Sequence, residues 1–239
     1  MVQVEDCIGC EECIPYCTVG ALSMGNDGVV VVDGSRCTDC YVCIRSKCCP
    51  VDTIVPGPLN TFNDNFRHVL SDPTETTAET GVPGRGTEES KTNDVTGRFR
   101  KDEAGICIDM GRPGVGVRMR DVEKVAVAVV RAGLKIPGPE ETPLAKVMAD
   151  RTTGKLKDDV LDEYLLSIII EGTCPLDKVE GVLRALRSVE KEIDTVFSLG
   201  IVLQVDENGY HPVLDTLEAF GIKPYRGKVN VGFGRPLAT

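Results

Sequence analysis

The sequence has no tryptophan, only two histidines and 5% aromatic residues. So few histidines exclude a histidine-rich metal site, because His68 and His211 have no partner at ligand spacing. Both read as surface residues. Basic residues are outnumbered, 27 Lys and Arg against 37 Asp and Glu, for a net charge of −10. That balance argues against nucleic-acid phosphate as a partner and equally against an anionic membrane surface. Long apolar runs are missing too. The longest covers residues 125–130, far below the roughly 18–20 residues of a membrane span. The opening MVQVEDC has no basic stretch leading into an apolar one, which predicts no signal peptide and a cytoplasmic location. What the sequence has in excess is cysteine, 11 residues, nine of them within positions 7–49. In a reducing cytosol such density points to metal ligands rather than disulfides.

Three zones follow from composition: a cysteine-rich segment, 1–60; a linker or extended partner-binding arm, 61–104; and an α+β segment, 105–239. Within the arm, residues 71–104 hold five apolar residues, Ala78, Val82, Val95, Phe99 and Ala104, against 13 charged ones. Such a stretch buries too little apolar surface to offset its ordering entropy, so the two flanking halves are expected to unfold separately. In the C-terminal zone, residues 105–109 read as a strand. Val122, Val125, Ala126 and Val129 form a helical stripe that Gly133 stops. Residues 164–171 read as one buried strand, and Pro175 is placed to open a helix. The clearest amphipathic helix carries Val179, Val182, Leu183, Leu186, Val189 and Ile193. A strand over 195–205, a short helix over 212–220 and a last strand over 228–233 complete the pattern. Residues 142–159 are compatible with either a strand or a loop. This order predicts a split βαβ, ferredoxin-like α+β sandwich, serving as a partner-binding or oligomerisation domain.

The cysteines carry the chemistry. Cys7, Cys10, Cys13 and Cys17 are spaced C-x2-C-x2-C-x3-C, and Cys37, Cys40 and Cys43 repeat the core before Cys49 and Pro50. Residues 1–59 resemble bacterial-type ferredoxins that carry two [4Fe–4S] clusters. The resemblance covers about a quarter of the chain and does not extend to the C-terminal region. In that family the fourth cysteine of each run ligates the other cluster. Carried over, it implies cluster I on Cys7, Cys10, Cys13 and Cys49, and cluster II on Cys37, Cys40, Cys43 and Cys17. Residues 51–54 mirror residues 19–22, as an internal duplication would leave them, and Asn26, Asp27 and Gly28 mark a hairpin turn between the runs.

Two positions depart from the family. Thr18 replaces the proline after the fourth cysteine of the first run, and five residues rather than three separate Cys43 from Cys49. Cys48 is therefore an alternative to Cys49, which the register of Pro50 favours. Four-cysteine zinc sites are usually built from two separated C-x2-C knuckles, a pattern these consecutive runs fit poorly.

Outside the runs, Cys107 reads as a core residue. Cys174 sits at a helix start, where a thiol becomes more acidic. Residues 111–120, GRPGVGVRMR, offer a glycine-rich anion or partner loop without the Walker lysine. No Ser/His/Asp set and no paired catalytic carboxylates are visible. The expectation is an electron-transfer component that passes single electrons through two [4Fe–4S] clusters to or from a redox enzyme or a larger oxidoreductase complex. A homo-oligomer through 105–239 is compatible with this. The alternative is a redox- or ligand-sensing regulator.

Overall fold

The computed structural model describes residues 1–75, 99–112 and 114–223. The chain mixes helix and strand as an α+β protein, with one apolar core in the cysteine-rich segment and a larger one behind it. The first segment runs through β1 (Gln3–Val4), β2 (Leu22–Met24), β3 (Val30–Val32), the one-turn helix α1 (Val42–Arg45) and β4 (Ile54–Val55). β2 and β3 form the expected hairpin, Leu22 opposite Val32, turning at Gly28 with φ of 79°. β1 pairs antiparallel with β4, which brings the two ends of the segment together.

The expected linker over 61–104 needs correcting at its start. Residues Phe62–Ser71 form helix α2. A capping box closes its first turn, the Asp64 N–H donating to Thr61 Oγ1 and the Thr61 N–H to Asp64 Oδ2, both at 3.0 Å. Phe66 and Leu70, four residues apart and so on one face, are buried in the larger core. These two anchors tie down a helix that ends at Ser71, where the apolar-poor stretch over 71–104 begins. At the other end of the stretch Phe99 is buried against Gly105, where a Cβ would stand 2.1 Å from the phenylalanine ring.

The C-terminal half continues with β5 (Glu103–Met110), β6 (Val117–Arg118), α3 (Met119–Arg131), β7 (Met148–Asp150), β8 (Lys155–Leu156), β9 (Tyr164–Leu165), β10 (Ile168–Pro175), α4 (Val179–Val189), β11 (Phe197–Val202) and α5 (Val213–Ala219). The main sheet has the order β10-β5-β11, with β5 antiparallel to both neighbours. β10 and β11 are thus parallel, joined by α4 and split by β5. α3 and α4 pack together. α4 buries Val179, Val182, Leu183, Leu186 and Val189, each contributing roughly 1.5–3 kcal/mol before ordering costs.

Two details differ from expectation. A single strand over 164–171 is in fact two: β9 pairs with β6, and β10 joins the main sheet. Pro175 ends β10, and a 3-10 turn over Leu176–Lys178 precedes α4. Residues 142–159, compatible from sequence with a strand or a loop, hold the small β7–β8 hairpin and add no strand to the main sheet. The free edge of β10 carries only a bridge between Lys135 and Thr173. Pro137 and Pro139 follow that bridge, and proline lacks the N–H that would extend it. The strand expected over 228–233 lies outside the described residues. Among the described residues, no helix is long and apolar enough to cross a membrane.

Candidate functional site

The two cysteine runs fold alike. In each, the residue before the second cysteine is left-handed, Gly9 at φ 71° and Asp39 at 54°, and so is the residue after it, Glu11 at 63° and Tyr41 at 53°. The last cysteines match as well. Cys17 heads a turn closed by the Gly20 N–H at 3.0 Å, and Cys49 heads one closed by the Asp52 N–H at 3.3 Å. Gly20 and Asp52 again have positive φ. The N–H four residues on then donates to the sulfur, Ala21 to Cys17 at 3.1 Å and Thr53 to Cys49 at 3.4 Å. Cys49, not Cys48, is the counterpart of Cys17. The two extra residues of the second run are absorbed by α1 and by Lys47, which turns at φ 49°. Among the described residues, every non-glycine with positive φ lies between Asp6 and Asp52. Such backbone costs of order 1–3 kcal/mol per residue and gathers where function requires it.

The fold gathers the thiols in two groups. Cys7, Cys10, Cys13 and Cys49 line one cleft, walled by Val4, Val30 and Ile54. Cys7 Sγ accepts from the N–H groups of Gly9 and Val30, each at 3.4 Å. Burial pushes the Cys13 thiol up to about 11, and the thiols of Cys48, Cys7 and Cys10 raise it further. The second group surrounds Cys43. Burial pushes that thiol up to about 12, and Cys40, Cys37, Cys17 and Cys48 add to the effect. Burial also raises Cys37. Cys49 moves the other way, lowered by its hydrogen bond with the Thr53 hydroxyl. Cys48 borders both groups, and its thiol donates to the Cys43 carbonyl at 3.3 Å.

Thiols crowded in a low-dielectric site resist joint ionisation, and a cationic centre removes that resistance. Inward-facing N–H groups stabilise sulfur that carries negative charge. Thr38, beside Cys37, has a buried hydroxyl without a hydrogen-bond partner among the described residues. These observations fit a polynuclear group held by several thiolates. Among the described residues, no three His, Cys, Asp or Glu side chains close around a point suited to one metal ion.

A second layer escapes sequence reasoning. Asp39, in the loop between Cys37 and Cys40, is fully buried. Its Oδ2 accepts from Arg67 Nε at 3.0 Å and Nη2 at 2.8 Å. Arg67, on α2, also donates to Glu163 at 2.7 Å. Burial opposes its charge, yet the hydrogen bonds to Asp39 and Glu163 raise its pKa. His68, read from sequence as a surface residue, is buried. Its Nδ1 lies 2.7 Å from the Asp39 carbonyl and its ring 4.4 Å from that of Tyr41. His211 is buried too and accepts from the Val213 N–H at 3.1 Å. Arg45 pairs with Asp72 and donates to the Cys40 carbonyl at 2.5 Å. Side chains of α2 therefore link Asp39 of the cysteine-rich segment to Glu163 of the C-terminal half. The sequence signals for α2 are the capping pair Thr61 and Asp64 and the stripe Phe62, Phe66 and Leu70.

From the glycine- and arginine-rich stretch, Gly114 and Arg118 approach residues that flank Cys17 and Cys37. A Cβ on Gly114 would meet Thr18 at 3.6 Å, and Arg118 donates to the Ser35 carbonyl at 3.3 Å. Cys107 is buried in β5, as expected. Cys174 does not become an acidic thiol. It is buried at the end of β10, not exposed at a helix start, and burial pushes it up to about 11. No protein-family model matches the chain, and no solved structure matches it.

Proposed function

We propose that the protein is a low-potential electron-transfer protein or subunit holding two [4Fe–4S] clusters and exchanging single electrons with a dedicated redox enzyme or larger oxidoreductase complex. The observation that carries this reading is the exchange of fourth cysteines. Cys49 lines the cleft of Cys7, Cys10 and Cys13, while Cys17 acts on Cys43 together with Cys40 and Cys37. On this reading Cys7, Cys10, Cys13 and Cys49 hold cluster I, and Cys37, Cys40, Cys43 and Cys17 hold cluster II, in a bacterial-type two-cluster ferredoxin domain. The bound groups supply reversible one-electron redox chemistry. The chain's own residues exclude water and set the local charge: Val4, Val30 and Ile54 wall the first site. The N–H groups of Gly9, Val30, Ala21 and Thr53 point at the sulfurs. The C-terminal half reads as a split βαβ sandwich with its second strand reduced to the Lys135 bridge, and acts as the partner-specific or self-associating module. Anaerobic reductive titration followed by electron paramagnetic resonance tests the reading. The expected result is uptake of about two electrons per chain, reversibly. A protein that takes up none refutes it.

A further inference from the structure

The two thiol groups face different surroundings. The contacts to α2 and the C-terminal half described above come from Thr18, Ser35, Asp39, Tyr41 and Arg45, all around the second group. The first group faces solvent. Cys10 is exposed, and the cleft mouth carries Ile8 and Val51, 62% and 44% exposed. Glu5, Asp6, Glu11, Glu12 and Asp52 are exposed in the same loops. Residues 1–35 hold no lysine or arginine. Of the three basic residues of positions 1–60, Arg36 immediately precedes the second run, and Arg45 and Lys47 lie within it.

We propose that this face is the docking surface, and that its occupant is a redox protein presenting a rim of lysine and arginine around an exposed one-electron centre. The inference rests on the two-cluster reading. Charge complementarity selects the partner: an acidic ring steers a basic surface into register. The exposed apolar pair Ile8 and Val51 supplies the dry centre that a docked complex needs. The shared surface then sits over Cys10. One electron leaves the iron site behind Cys10 and one electron arrives on the partner's centre, with no bond made and no proton moved. The second site, flanked by the contacts to α2, Gly114 and Arg118, exchanges electrons with the first and not directly with this partner.

The probe is cytochrome c, a basic one-electron acceptor, used with zinc in place of iron so that binding is read without electron transfer. Calorimetric titration is run on the full-length protein, purified anaerobically, with iron and sulfide measured on each sample. The wild type should bind more weakly as salt rises. Glu11→Lys/Glu12→Lys should weaken binding by roughly tenfold or more. Asp158→Lys/Asp159→Lys, with the same change of charge on exposed residues of the C-terminal half, should stay within about twofold, as expected of charges remote from the contact. Ile8→Asn should weaken binding at all salt concentrations alike. With native cytochrome c the same order should appear in the rate of its reduction. Equal weakening by both double variants, or none by Glu11→Lys/Glu12→Lys, in samples that keep their iron overturns the docking face and leaves the two-cluster reading standing. A wild type without iron and sulfide overturns that reading, and this inference with it.

Discussion

Replacing Arg67 with methionine should uncouple α2 from the cysteine-rich segment. The guanidinium is 12% exposed and Asp39 is 0% exposed, so the substitution leaves a buried carboxylate whose remaining cation is the Met1 ammonium at 3.6 Å. Breaking a buried pair from one side costs about 3–5 kcal/mol. Arg67 also loses hydrogen bonds to Asp64 and Glu163, but those carboxylates are partly solvated and add little. For a chain of this size the cost lowers the melting temperature by roughly 6–20 °C. Asp39→Asn with Arg67→Met should recover much of the loss, because no charge is then left unpaired. The assay is urea unfolding of both single variants and the double variant, as a thermodynamic cycle. Iron content is measured alongside, because Asp39 lies between Cys37 and Cys40 and its displacement should release the second group first. A loss below about 1 kcal/mol for Arg67→Met, the level of an exposed ion pair, would refute the reasoning. So would a double variant no more stable than the singles.

Further predictions concern the thiol sites. Cys49→Ala should lose about half of the bound iron while Cys48→Ala keeps it all, because Cys49 repeats the turn and N–H···S contact of Cys17. Loss of iron from Cys48→Ala alone would reverse the assignment. Gly9→Ala should destabilise the loaded protein by about 2 kcal/mol or more, since φ is +71° and the new Cβ would stand 2.3 Å from the Gly28 carbonyl oxygen; an unchanged melting curve would contradict this. In the metal-free protein Cys13 and Cys43 titrate near 11 and 12 from an ordinary 9.0. The unfolded chain then releases those protons first, so the contribution of these two thiols to stability should be fully present below pH 9 and be lost as pH rises toward 12. Urea midpoints that rise over that range would be inconsistent with buried thiols.

The cysteine pattern was legible because ligand spacing is local, and so were the hairpin over the Asn26–Gly28 turn and the stripes of α3 and α4. Less legible features depend on distant partners. α2 carries the apolar stripe Phe62, Phe66, Val69 and Leu70, but only its contact with the core shows where the helix packs. The break between β9 and β10 at Leu166 and Ser167 leaves no clear mark in an apolar run, because β9 is diverted to β6. Asp39 looks like one of many acids, and only Arg67, 28 residues away, makes it a buried anchor. His68 and Cys174 misled for the same reason. Their chemistry is set by burial, which sequence neighbours do not report. The apolar-poor stretch over 71–104 begins where α2 ends at Ser71, so its composition says nothing of the helix.

Iron and acid-labile sulfide, measured per chain on anaerobically purified protein, decide whether the chain holds two clusters. About eight of each are expected, with the iron bound through thiolates. Stoichiometric zinc, or about four irons that persist at four when the protein is reconstituted with excess iron and sulfide, would contradict it.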